Sequence, residues 1–156
     1  MCTSFRIAAV SAFSRALEGL FQEELQLPYF LGGSRRFGYL RPESDADFFV
    51  LAKDEEIEKD LVDFLASLGF GEQPNDLGYP LRPGSRLFAL PKVFHVVIIK
   101  DDAEYACLEK QHETVARLVS DRTDLCELAR LLRDQNVKGT HIFRAFLHLA
   151  HLTQAG

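Results

Sequence analysis

Residues 31–50 read LGGSRRFGYLRPESDADFFV, and the order of their parts decides the fold. Tyr29, Phe30 and Leu31 form a short apolar run that stops at Gly32-Gly33, the pattern of a buried strand entering a tight turn. Ser34 then stands where a hydroxyl can cap a short helical turn through Arg35, Arg36 and Phe37. Gly38 and Pro42 punctuate a loop, and Asp47 to Ala52 (DFFVLA) is a second strand with Asp45 at its entry. Residues two apart on a strand share a face, so Asp45 and Asp47 point the same way. The Phe48-Phe49-Val50 run marks that strand as buried, where unpaired acids are costly.

The chemistry of this stretch follows from its residue types. Glycines let a backbone approach a phosphate with no Cβ in the way. Adjacent carboxylates repel unless water or a cation lies between them. Mg²⁺ takes one or two carboxylates and completes its shell with water and substrate phosphates. Asp45 and Asp47, eleven and thirteen residues after Ser34, are therefore the candidate metal ligands and catalytic acids. Gly32, Gly33, Ser34, Arg35 and Arg36 are the candidate phosphate-binding residues. Taken alone, Gly32-Gly33-Ser34 reads as a plain structural turn; the acids that follow give it a functional reading.

Working outward, residues 5–25 carry apolar positions at helical spacing, including Ile7, Val10, Leu17 and Phe21. Residues 54–68 predict a second amphipathic helix, with Ile57, Leu61, Phe64, Leu65 and Leu68 facing inward. Gln73 to Ser85 is rich in Pro, Gly, Asn and Asp and reads as a loop. Arg86–Leu90 and the β-branched run Val93–Ile99 (VFHVVII) predict two more strands, joined as a hairpin at Pro91-Lys92. Segments near 102–118, 121–134 and 138–153 are helical, with breaks at Ser120-Asp121 and Gly139-Thr140. The whole, residues 1–156, is read as one α+β domain with a small mixed sheet packed on helices. Residues 1–100 form its sheet-containing core and residues 101–156 a helical C-terminal part.

Composition narrows the classes. The chain has 156 residues, 47% apolar, and a formal charge of −5, with scattered basic residues. The small cluster of Arg35, Arg36 and Arg41 suits a phosphate, and no basic block suggests a duplex nucleic acid. Cys2, Cys107 and Cys126 match no zinc or CxxC spacing and read as reduced thiols. No stretch approaches the ~20 apolar residues of a membrane helix, and Arg15 and Glu18 interrupt any signal-like run. A cytoplasmic protein without membrane association is expected.

The strand, the Gly-Gly-Ser turn, the short helix, the loop and the D-x-D strand (Gly32, Gly33, Ser34, Asp45, Asp47, with Ser44 before the first acid) resemble the DNA polymerase beta-like nucleotidyltransferase superfamily. The resemblance covers roughly residues 25–100. It implies transfer of a nucleoside monophosphate from a nucleoside triphosphate with Mg²⁺, the triphosphate meeting Gly33 and Ser34 and the metals meeting Asp45 and Asp47. It also implies a third acid on a neighbouring strand, where this sequence departs: Val93–Ile99 carries no Asp or Glu, His95 takes the polar slot, and Asp101 and Asp102 come only at the strand's end. The run FHVVIIKDDAEY (94–105), with Arg122 and Asp124 on the helices after it, is similar to the GrpB-like branch of the superfamily.

His95 has two readings, a hydrogen-bonded core residue or a ligand and proton acceptor beside the metals. Arg82 and Arg86 read as solvated charges flanking the loop, with phosphate contact as the alternative. His141, His148 and His151 read as surface or packing residues. Three functions are carried forward. The first is a minimal nucleotidyltransferase with an unknown acceptor. The second is a catalytically degenerate protein of the same fold that binds a nucleotide or a partner. The third is an antitoxin-like partner of a helical protein. A chain this short is expected to complete its site with a protein partner or a homo-oligomer.

Overall fold

A computed structural model describes residues 2–38, 45–74, 82–91 and 93–155. Helix α1 (Cys2–Gly19) runs into a π-helical turn, Leu20–Glu24. Then come β1 (Tyr29–Gly32), α2 (Ser34–Phe37), β2 (Ala46–Leu51), α3 (Glu55–Ser67), β3 (Gly71–Gln73), β4 (Arg86–Leu90) and β5 (Phe94–Ile99). Helices α4 (Asp102–Asp121), α5 (Thr123–Asp134) and α6 (Gly139–Ala155) close the chain. The five strands make one mixed sheet in the order β1-β2-β5-β4-β3. Only β2 and β5 run parallel; the other neighbours are antiparallel. The α+β class with a small mixed sheet is as the sequence predicts.

The period-2 pattern of the central strands splits the core in two. Phe48, Val50, Val96 and Ile98 face α1, the π-helical turn and α3, where Leu17, Phe21, Leu61 and Leu65 cover them. Phe49, Leu51, Val97 and Ile99 face the other way, against Tyr105 and Leu108 of α4. At about 1.5–3 kcal/mol for each fully buried large side chain, these layers dominate the stability of the sheet. A third cluster joins α4, α5 and α6 and takes in Phe37 of α2.

Several expectations need correction. The first helix does not run unbroken to residue 25. Leu25 N–H donates to the Leu20 carbonyl at 3.0 Å, a bond five residues long, and Gln26 then turns left-handed at φ 53°. Ser34 does not cap α2. The cap position is Gly33, without a side-chain cap bond, and Ser34 is the first helical residue. The stretch expected to be loop from Gln73 gives that residue to β3, which pairs with Leu87–Ala89 of β4. The β4–β5 hairpin forms, with Leu90 opposite Phe94. Phe64, expected inward, is 36% exposed, because Leu61, Leu65 and Leu68 already fill the inner stripe of α3. Helix α6 begins at Gly139; the break before it falls at Gln135–Lys138, where Asn136 is left-handed at φ 65°. Pro42, Arg41, Ser44 and most of the Pro-rich loop lie outside the described residues.

Candidate functional site

The end of β1 lies beside the start of β2, with Gly32 in register with Asp47. On the other side of β2, His95 of β5 is in register with the same residue. Gly32, Asp47 and His95 therefore form a row across three strands at one end of the sheet. They lie on the face that packs against α4, since Phe49 and Val97, two residues further along each strand, point there. Asp45, two residues before Asp47, joins the row.

Distances confirm the convergence. His95 Nδ1 lies 3.1 Å from Asp47 Oδ1 and 3.3 Å from Asp45 Oδ2. The three side chains keep 20–27% exposure, so solvent reaches them. An ionised carboxylate only accepts, so Nδ1 is the nitrogen that carries the hydrogen. The other ionic groups named from the sequence stand elsewhere. Asp101 caps α4 by accepting from Ala103 and Glu104 N–H at 2.7 and 3.1 Å, and it pairs with Arg82 at 2.7 Å. It follows the C-terminal end of β5, while His95 sits near the N-terminal end, so Asp101 is not the missing acid. Asp102 pairs with Lys53.

Gly33 brings the turn against this row. Its φ of +72° and ψ of −164° belong to a region that only glycine occupies readily. A Cβ there would lie 2.5 Å from Asp47 Oδ2. The carbonyl of Gly33 accepts from Arg36 and Phe37 N–H and fixes α2 directly behind it. Arg35 reaches back to Ser11 Oγ of α1 at 3.1 Å. The guanidinium of Arg36 lies over the Phe30 ring, with Nη1 3.4 Å from the Leu31 carbonyl. Both arginines are thus anchored around the turn. Arg86 is committed to Glu72 and to the buried Glu58, which Lys100 also pairs, and Arg82 to Asp101. His141, His148 and His151 are exposed on α6.

The sequence reading missed His112. This α4 residue is fully buried, with its ring 5.0 Å from those of Phe30 and Phe49 and 4.6 Å from that of Phe143. Its Nδ1–H donates to the Leu108 carbonyl at 2.7 Å. Burial pushes its pKa down to about 4, with the Arg36 charge acting the same way and the Leu108 carbonyl opposing. A Cβ on Gly32 would meet His112 Nε2 at 2.8 Å. The glycine at the strand end is therefore required by the helix behind the turn. Lys110-Gln111-His112-Glu113 looks like solvated helix surface, so no local pattern marks it.

A mixed sheet backed by helices, with a Gly turn held against Asp47 of β2, makes a nucleotidyltransferase-like fold. The conserved protein GrpB from Enterococcus faecalis matches it at a TM-score of 0.59 and 16% identity, over 97% of this chain and 95% of that one. A cytoplasmic RNA terminal U-transferase, at 17% identity, and Cid1 in complex with the UTP analog UMPNPP, at 16%, each match at a TM-score of 0.51. They cover 84% and 85% of this chain, which spans only 43% of the length of either. The likeness to GrpB and to these two proteins is one of fold. No family model matches the sequence, and no curated protein matches it.

The donor set is compatible with Mg²⁺. Asp45 and Asp47 each place one oxygen within 3.3 Å of His95 Nδ1, so the two carboxylates stand side by side, and Asp47 Oδ2 lies against the Gly33 turn. Among the described residues no group of three or more His, Cys, Asp and Glu side chains is arranged to hold a metal by itself. Two carboxylates suffice when phosphates and water complete an octahedral shell. Among the described residues, no helix is long and apolar enough to cross a membrane.

Proposed function

We propose that this chain binds a nucleoside triphosphate together with Mg²⁺ and transfers the nucleoside monophosphate to an acceptor. The observation that carries the reading is the meeting of Asp45, Asp47 and the Gly33 turn at one sheet end of a nucleotidyltransferase-like fold. Asp45 and Asp47 would hold the ion. The Gly33–Ser34 backbone would face the phosphates, and Arg35 and Arg36 would add positive charge beside it. When bound, Mg²⁺ neutralises the phosphate oxygens and the charge that builds on the leaving pyrophosphate. The residues of the chain supply position: the register of β1, β2 and β5 fixes the acids against the turn. The protein would act away from membranes, in the cytoplasm, and without binding a duplex nucleic acid.

Asp45→Asn tests the reading. Binding of a labelled triphosphate in Mg²⁺, measured by filter retention, is expected to fall at least tenfold, along with pyrophosphate release. A variant that binds like the wild type removes the site assignment.

A second reading, binding of a nucleotide or protein partner without turnover, is favoured by one observation. The β5 residue in register with Asp47 is an imidazole and not an acid. Pyrophosphate release across nucleotides and acceptors separates the two. An antitoxin-like role belongs to this second reading; a protein partner or a homo-oligomer would complete the site in either.

A further inference from the structure

Helix α6 carries no acidic residue, in a chain whose formal charge is −5. Its Arg144, His148 and His151 stand at i, i+4 and i+7 and so form one stripe along the helix. All three are exposed, and Leu152 beside them is 71% exposed. Helix α3 has the same spacing with the opposite sign. Glu56, Asp60 and Asp63 are exposed at i, i+4 and i+7, and Phe64, the next residue, is 36% exposed. Lys59 lies to one side of that stripe. The ion pairs among the described residues use none of Glu56, Asp60, Asp63, His148 and His151.

The two stripes cannot meet within one chain. Leu61 and Leu65 seat α3 on the face of the sheet that carries Phe48 and Ile98, while α6 lies behind α4 on the other face. We infer that α6 docks on α3 of a second copy of this chain, the Arg144–His148–His151 stripe of one protomer lying along the Glu56–Asp60–Asp63 stripe of its neighbour. The matched spacing lets each acid meet a base, and the contact covers Phe64 and Leu152, whose burial adds to it. One such contact leaves the other stripe of each copy open, so the association runs head to tail and adds copies without stopping at a pair. A stripe runs for only ~10 Å at about 1.5 Å per residue. The contact is therefore small, belongs with weak associations, and is screened by salt. None of these residues belongs to the nucleotide site, so the inference stands apart from the nucleotide reading.

The test is sedimentation equilibrium of the full chain over a concentration series in low salt at pH 6. The ordinary imidazole pKa of about 6.5 leaves most of the histidines charged there, with the carboxylates ionised. The weight-average mass is expected to climb past that of a dimer and to return to the monomer's in high salt. The double variant Asp60→Lys, Asp63→Lys makes both stripes positive, and His148→Glu, His151→Glu makes both negative. Each alone is expected to stay monomeric. Mixed in equal amounts they should associate again, since each then offers what the other lacks. Glu109→Lys, Asp121→Lys carries the same change of charge as the first variant at exposed positions off both stripes and should associate as the wild type does. A monomeric wild type, a mass that stops at the dimer, a reversed variant that still associates, or a mixture that stays monomeric overturns the inference. Loss of association in the Glu109→Lys, Asp121→Lys protein also overturns it, by assigning the effect to net charge. Should one reversed variant fail to fold, the other and the wild-type series decide.

Discussion

Gly33 is the residue at which turn and acid depend on each other. Its backbone angles exclude a side chain, and so does Asp47 Oδ2 at 2.5 Å from where a Cβ would sit. Holding a non-glycine residue in such a region costs about 1–3 kcal/mol. Gly33→Ala is therefore expected to unfold at lower urea by that amount and to push Asp47 out of line with Asp45. Triphosphate binding should fall further than the stability loss alone explains, which a titration at a temperature where the variant stays folded will show. His112 answers to pH instead. Its folded pKa of about 4 lies below the ordinary 6.5. The unfolded chain thus takes up a proton that the folded chain refuses. The stability from neutral His112 is fully present above pH 6.5 and is lost as pH falls through 4. The total is roughly 3 kcal/mol. Urea titrations from pH 7 to 4 should show this slope, and His112→Phe should flatten it while keeping the ring packing. A His112→Phe protein with an unchanged slope would assign the acid sensitivity to other groups.

Elements are joined here by buried acids as much as by apolar faces. Glu104, near the start of α4, accepts from Arg82 N–H at 3.1 Å and Ser85 Oγ at 2.9 Å, while Asp101 one turn earlier caps the helix and pairs with Arg82. Together they pin the chain entering β4 to the first turn of α4. Glu104→Ala leaves a backbone N–H and a hydroxyl without their acceptor, at about 1–3 kcal/mol. Hydrogen exchange at Arg82 and Ser85 should rise well before that of β5. Combining it with Asp101→Ala should cost less than the sum, because both act on Arg82. These acids also mark the limit of reading by pattern. Glu58 and Glu104 sit in helices where a charged residue signals solvent, yet both are buried by partners distant in sequence, Arg86 and Lys100 for one, Ser85 for the other. Strand β3 was missed for the same reason: three residues including a glycine acquire strand character only by pairing with β4. The two helices flanking the acids, and β2, β4 and β5, were legible because their periodicity is local. The Gly-Gly-Ser turn and the two acids were legible because their residue types and separation are written in one run of twenty residues.

At the scale of the molecule, the C-terminal helices are packed into the back of the site. Phe37 of α2, His112 of α4 and Phe143 of α6 stack at ring distances of 4.6–5.9 Å, and His112 in turn touches the rings of Phe30 and Phe49 beneath Gly32. Through that stack α6 supports the turn that carries Gly33, although its histidines are exposed and distant in sequence. On the opposite face of the sheet, Leu65 of α3 belongs to the cluster of Phe21, Phe48 and Ile98 and not to the ring stack behind Gly32. Truncating either core residue should cost about 2–5 kcal/mol. The two losses should differ in function. Phe143→Ala is expected to loosen the His112 stack and weaken triphosphate binding several-fold under conditions where the protein remains folded. Leu65→Ala, matched to it in stability, should bind as the wild type does. Equal affinities in the two variants would show that the helical part stabilises the chain without positioning its turn. A deficit confined to Phe143→Ala would make residues 101–156 part of the site's support.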